Sequence, residues 1–273
     1  MRKCIDFLKK SPVITGMVGV AIAFGGIRIL TISDGSLLKK TVLRVLLFLS
    51  MSVFIYLISR EKSFENCHTT TGYVVKWSLL GMISSIILFP LHFSSGNTLA
   101  ADWPVQLILA IILCIFIGLF EETAFRVLIN DAILYKFRNS KFVFVWIAII
   151  SSFVFGSVHV LGADFSTVSA FVSALLKIIQ TGLFGFCLLI LYWKTRNIWG
   201  IALAHALFDG LSVVPEAMLN DTSDIGSADL YVNSGSIGMI GLAGLIAVLT
   251  IAAVIIWIKV GRKIDFDEIR ENW

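Results

Sequence analysis

The stretch WPVQLILAIILCIFIGLFEETAFRVLINDAILYKF, residues 103–137, decides how this chain is read. Trp103 to Phe120 is apolar enough to lie in a bilayer, and Glu121 and Glu122 follow with no turn residue between. No Gly or Pro occurs between Glu122 and Tyr135, so the helical pattern runs on to about Phe137. The two carboxylates therefore lie deep in one long helix. An ionisable side chain at membrane depth costs at least a few kcal/mol, faces the bundle interior and needs a partner. Glu122 and Arg126 are spaced i,i+4 and share a face, whereas Glu121 points about 100° away and is left for another task. The alternative is a helix that stops at the interface with both glutamates solvated. Two adjacent carboxylates with a matched arginine are an unusual way to end a membrane helix.

The rest of the chain supports a bilayer. Of its 273 residues, 58% are hydrophobic and 15% charged, and the mean hydropathy is +0.92. One soluble core cannot hide that much apolar surface. Runs long enough to span occur near 12–31, 41–59, 73–93, 104–120 with its continuation, 142–162, 168–193, 197–214 and 237–259. The expectation is an all-α, polytopic transmembrane bundle of about eight helices. It forms a single integral membrane domain, 1–273, with its motif-bearing core at about 104–214. The first run is long for a signal peptide and is read as a retained helix.

The formal net charge of +4 comes without a basic cluster large enough for nucleic acid; it reads better as topology. With the N-terminus inside, inner segments carry Arg2, Lys3, Lys9, Lys10, Arg60, Lys62, Lys136, Arg138, Lys141, Lys194, Arg196, Lys259, Arg262 and Lys263. The outer loops near 94–103, 163–167 and 215–236 carry no Lys or Arg, and only Lys39 and Lys40 disagree. Both termini are therefore expected in the cytoplasm, and the pattern with short loops suggests a bacterial plasma membrane. Turn signals fall at Ser94-Ser95-Gly96-Asn97 and at Asn220 to Asp224 with Gly226. Cys4, Cys67, Cys114 and Cys187 form no CxxC pair and suggest neither a disulfide framework nor a thiolate metal site.

Two further runs carry groups that do not belong in lipid. In Phe155-Gly-Ser-Val-His159, Phe155 and His159 share a face while Gly156 and Ser157 permit close helix approach. In His205-Ala-Leu-Phe-Asp209, the two ionisable residues are one turn apart. Either pair alone reads as readily as a satisfied structural histidine. Three helices each carrying such groups make coincidence a poor explanation. Lys177 and Gln180 read as pore-side or snorkelling groups, and His68 and His92 receive no role.

A carboxylate and a neutral imidazole converging on one water can activate it as a nucleophile. A second imidazole can donate a hydrogen bond to a developing oxyanion. That set hydrolyses an amide without a covalent intermediate. Ser157, the nearest hydroxyl, lies on a different face from His159. Zinc held by Glu121, His159 and His205 is the rival reading. Against it, HExxH spacing is absent and Glu122 looks committed to Arg126. The expectation is no cofactor, with zinc as the alternative.

EETAFR, FGSVH and HALFD match, in order, the EExxxR, FxxxH and HxxxN/D motifs of the CPBP intramembrane proteases. The chain resembles this family over about 104–214. The family comprises type II CAAX prenyl endopeptidases and bacteriocin-processing or immunity proteins, also called Abi proteins. The resemblance implies an eight-helix bundle and a glutamate-dependent peptidase. Glu121 would be the base, with His159 activating water; His205 and Asp209 would stabilise the oxyanion; Glu122 and Arg126 would be a supporting ion pair. Asp209 stands where many members have Asn. A carboxylate accepts hydrogen bonds unless protonated, so Asp209 is a candidate to orient His205 instead. The implied substrate is a small peptide or membrane-associated protein, of CAAX, bacteriocin or pheromone type. A non-catalytic immunity protein or signalling regulator, with a membrane sensor or transporter as partner, is the second reading. A transporter or proton relay is the third, and no internal repeat or Gly/Pro-broken helix pair supports it.

One expectation is internally strained. Counting from their inner ends at 1.5 Å per residue, Glu121 and His159 lie about 24 and 26 Å deep, but His205 only about 12 Å.

Overall fold

A computed structural model describes residues 7–32, 36–59, 70–93, 98–163, 165–219 and 235–272. The turn signals at Ser94–Asn97 and Asn220–Gly226, the basic residues Arg2, Lys3, Arg60 and Lys62, and Cys4, Cys67 and His68 lie outside the described residues. Backbone groups in lipid must find their partners within the segment, so apolar runs fold as helices. These are α1 (Pro12–Ile32), α2 (Leu37–Ser59), α3 (Thr71–Leu88), α4 (Trp103–Glu122), α5 (Ile129–Phe137), α6 (Val143–Val158), α7 (Val168–Thr195), α8 (Ile198–Met218), α9 (Gly235–Lys259) and the short α10 (Phe266–Glu271). The π-helical turn Thr123–Leu128 joins α4 to α5, so they form one 35-residue span, Trp103–Phe137. Among the described residues six spans are long and apolar enough to cross a membrane. The chain is a helical membrane bundle; the other two of the eight expected spans, near 73–93 and 142–162, form the shorter apolar helices Thr71–Ile87 and Val143–Val158. Among the described residues the sole β-type pairing is the isolated Leu99–Leu219 bridge.

The largest helix contact is between α4 and α8. Gly118 allows it: a Cβ there would run into the Ala202 carbonyl oxygen. Helix α2 lies against α4 and the π turn, and α7 is clasped by α6 and α9.

Helix α3 ends at Leu88 and α8 runs on to Met218, against the expected 93 and 214, and two further differences bear on the site. The expected uninterrupted α-helix through Glu121–Phe137 is broken by the π turn, which adds a residue to one turn. Within it, Ser151 Oγ donates to the Phe125 carbonyl at 2.6 Å; at its start, the Thr123 hydroxyl is shared between the Leu119 and Phe120 carbonyls of α4. Helix α6 stops at Val158, short of the expected 162, so His159 caps it rather than lying inside it. The chain then turns through Gly162, whose φ of 98° favours glycine.

The depth conflict resolves at the α7–α8 connection, which is sunk into the bundle. Trp193 Nε1 donates to Asn130 Oδ1 at 2.8 Å, and Arg196 Nη2 lies 3.5 Å from Asp131 Oδ1. Asn197 is fully buried; it caps α8 through Gly200 N at 2.9 Å and donates to Thr70 and Thr71 at 3.0 Å. The turn therefore sits level with Asn130, about 13 Å along the helix from Glu121 at 1.5 Å per residue. His205 lies about 12 Å beyond Asn197 by the same rise, which brings it back to Glu121. Below the turn, Phe266 of α10 packs on Phe144 and Trp193, with ring centroids 4.5 and 5.7 Å away.

Gly118→Ala should separate α4 from α8. Overpacking of this kind costs about 1–3 kcal/mol, to be read as a lowered unfolding midpoint of the purified protein in detergent.

Candidate active site

The three motif helices converge. Glu121, Glu122 and His205 are buried, and the two carboxylates face different partners. Glu122 divides its oxygens. Oε1 lies 2.6 Å from His205 Nδ1, and Oε2 lies 3.2 Å from Arg126 Nε. An ionised carboxylate only accepts, so Nδ1 of His205 carries the hydrogen. The expectation that Glu122 is committed to Arg126 is thus incomplete, because it also sets the imidazole of His205.

Arg126 has 0% side-chain exposure. Its Nε–Oε2 contact is within ion-pair distance but off line for a hydrogen bond, and its N–H groups have no hydrogen-bond partner. Its guanidinium instead lies 3.6 Å over the Phe155 ring, a desolvated cation–π contact. Gly185 of α7 leaves room for it; a Cβ there would strike Nη2. Phe155 in turn stacks edgewise on His159 and His205 at 4.6 and 5.8 Å. The Phe of the FxxxH motif is thereby the hub between the arginine and both imidazoles.

Glu121 Oε2 faces the two imidazoles, 3.9 Å from His159 Nε2 and 3.8 Å from His205 Nε2. His159 Nδ1 is 2.8 Å from the Phe155 carbonyl. A carbonyl only accepts, so Nδ1 donates and the other nitrogen is turned to Glu121. Asp209 Oδ2 approaches His205 at Nε2, 3.5 Å away, rather than at the Nδ1 that orients the ring. That geometry assigns the orienting contact to Glu122 and puts Asp209 beside the nitrogen that faces Glu121. His159 and Asp209 have 20% and 21% side-chain exposure and mark the side from which the site is reached. Ser157 Oγ donates to the Phe153 carbonyl at 2.7 Å.

One residue of this cluster escaped the sequence reading. Arg44 Nη1 donates to Glu121 Oε1 at 2.8 Å. A signal existed for it: Leu37, Thr41, Arg44, Phe48, Met51, Ile55 and Ile58 alternate by three and four. That stripe is the inward face of α2, where Leu37, Thr41, Met51, Ile55 and Ile58 are buried. Lys177 of α7 is half-buried; Gln180 is buried. Among the described residues, no three His, Cys, Asp or Glu side chains are grouped to hold a metal ion. Glu121 meets the arginine at one oxygen instead.

Residues 103–211 match the family model described as Type II CAAX prenyl endopeptidase Rce1-like. Over this segment, 109 of its 273 residues, the chain is similar to that family. All three CPBP motifs fall inside it, and Arg44 falls outside. No curated protein and no solved structure matches the chain.

Removing one partner of a buried ion pair costs about 3–5 kcal/mol, because it strands the other charge. Glu122→Gln should therefore destabilise the bundle by about that much, and Glu122→Gln combined with Arg126→Met should recover most of the loss. Unfolding of both variants by SDS titration in mixed micelles measures it.

Proposed function

We propose that this chain is an intramembrane endopeptidase that hydrolyses a peptide bond with water activated by Glu121 and His159. The observation that carries the reading is the convergence of Glu121 Oε2 with the Nε2 atoms of His159 and His205 at 3.8–3.9 Å. Such separations are too long for direct hydrogen bonds and suit a bridging water. The water donates to Glu121 Oε2 and to His159 Nε2, both acceptors, which leaves its lone pair for the carbonyl carbon. Glu121 takes the proton as the C–O bond forms, and the oxyanion accepts from His205. In this scheme His205 carries a proton on each ring nitrogen: Nδ1–H donates to Glu122, and Nε2–H faces the site. Collapse breaks the C–N bond, and Glu121 returns its proton to the departing amine. Glu122 orients the ring, and Asp209, 3.5 Å from Nε2, lies beside its second proton before the substrate arrives.

The family supports a protease, and the membrane helices support a peptide or membrane-associated protein as substrate. We place the chain in a bacterial plasma membrane with both termini in the cytoplasm, on the distribution of Lys and Arg. A peptide pheromone, a bacteriocin leader or a lipidated C-terminus fits a site at membrane depth. The reaction needs no metal in this scheme. Were zinc required, Glu121, His159 and His205 would be its ligands.

Mass spectrometry of secreted and membrane peptides tests the reading in cells making wild type, Glu121→Gln, His159→Ala or Ser157→Ala. General acid–base catalysis contributes roughly 10²–10⁴-fold, so the first two variants should lose product by at least about 10² while Ser157→Ala keeps it. Release of the same peptides by Glu121→Gln at the wild-type rate would sink the mechanism. A biological effect that survives Ala at both Glu121 and His159 would mark an immunity or regulatory protein instead. Activity should persist in a chelator; its loss and return with zinc would establish the metal reading.

A further inference from the structure

We infer that Arg44 is a positioning residue for Glu121, supplied to the family's site by the N-terminal helices. The inference rests on the peptidase reading for its purpose, but its geometry stands alone. Arg44 occupies the inward stripe of α2 and has 12% side-chain exposure. Snorkelling would carry a membrane arginine outward along its helix to the interface. This one reaches across to α4, donates to Glu121 Oε1 at 2.8 Å and lies 5.3 Å over the Phe120 ring.

The contact has two consequences. A carboxylate has two equivalent oxygens and turns easily about its last bond. With Oε1 tethered, Oε2 is the oxygen left facing His159 and His205. The guanidinium also sets a positive charge 2.8 Å from a carboxylate that has left water, so each buried charge has its partner. Glu122 has the same need, and Arg126 from its own helix meets it. The two adjacent glutamates thus have separate cations from separate helices. Glu121 receives the one that leaves an oxygen open to the cleft, and Glu122 the one sealed beneath Phe155. Arg44 lies outside residues 103–211, so in this chain the family segment does not complete its own site.

The experiment is carbodiimide labelling of the full chain in lipid nanodiscs, with dicyclohexylcarbodiimide as probe and each glutamate read by peptide mass spectrometry. The reagent adds to protonated carboxyl groups in apolar surroundings and spares ionised, paired ones. Glu121 should resist labelling in wild type, react at least about tenfold faster in Arg44→Gln, and stay close to wild type in Arg44→Lys, which keeps the charge. Added guanidinium ion should restore resistance to Arg44→Gln, which a merely structural role would not produce. Equal Glu121 labelling in wild type and Arg44→Gln would overturn the inference. If Glu122 labelling rose in parallel, Arg44→Gln would have loosened the bundle, and Arg44→Lys then decides: resistance at Glu121 supports the role, and reactivity as high as in Arg44→Gln overturns it. No turnover is measured, so a chain that cleaves nothing can still pass, and a working peptidase can still fail.

Discussion

Glu122 stands between Arg126 and His205, with one oxygen given to each. A bilayer offers no water to finish an unpaired charge, so every ionisable group here needs a protein partner. Glu122 joins the EExxxR helix to the HxxxD helix, while Phe155 covers the arginine and touches both imidazoles. The three motifs are therefore parts of one electrostatic unit. Its parts would each be unfavourable in lipid if separated. That mutual need fixes how α4, α6 and α8 sit relative to one another.

The spans were legible because apolar length is a direct consequence of bilayer thickness. The site was legible because charges at membrane depth are rare enough to be read against each other. Glu121, Glu122, Arg126, His159, His205 and Asp209 all come together as their spacing suggested. What the sequence hid has physical causes. The sunken turn at Arg196–Asn197 depends on Asn130, Asp131, Thr70 and Thr71, polar groups distant in sequence. Counting residues from a helix end assumed that all ends reach the surface, and His205 therefore looked too shallow. The π turn lies where Ser151, distant in sequence, donates to the Phe125 carbonyl, a contact no periodicity displays. Arg44 was passed over because it follows Lys39 and Lys40, and a cation near a helix start reads as interfacial. The division of Glu122 was missed because i,i+4 spacing to Arg126 seemed a sufficient explanation.

The roles of the two glutamates separate by depth of burial in the polar cluster rather than by residue type. Glu122 is enclosed on all sides, with no exposed side-chain surface. Glu121 shares its face with His159, whose side chain is 20% exposed. Adjacent and chemically identical, they are distinguished by which helices pass on either side. The π turn that follows them begins the change of helical phase that lets Arg126 tuck beneath Phe155 while α5 continues to Asn130.

The order of synthesis gives the two arginines a further meaning. His205 follows Glu122 by 83 residues. At roughly 5–20 residues per second, those residues take about 4–17 s to make. For that interval Glu122 lies in the bilayer without the imidazole of His205. Arg44 precedes Glu121 by 77 residues, and Arg126 follows Glu122 by one turn. Each carboxylate therefore has a cation at hand when its helix leaves the ribosome, and the histidines join a pair of ion pairs already formed. The nascent chain can hold its most polar helix in the membrane before the parts that make it useful exist.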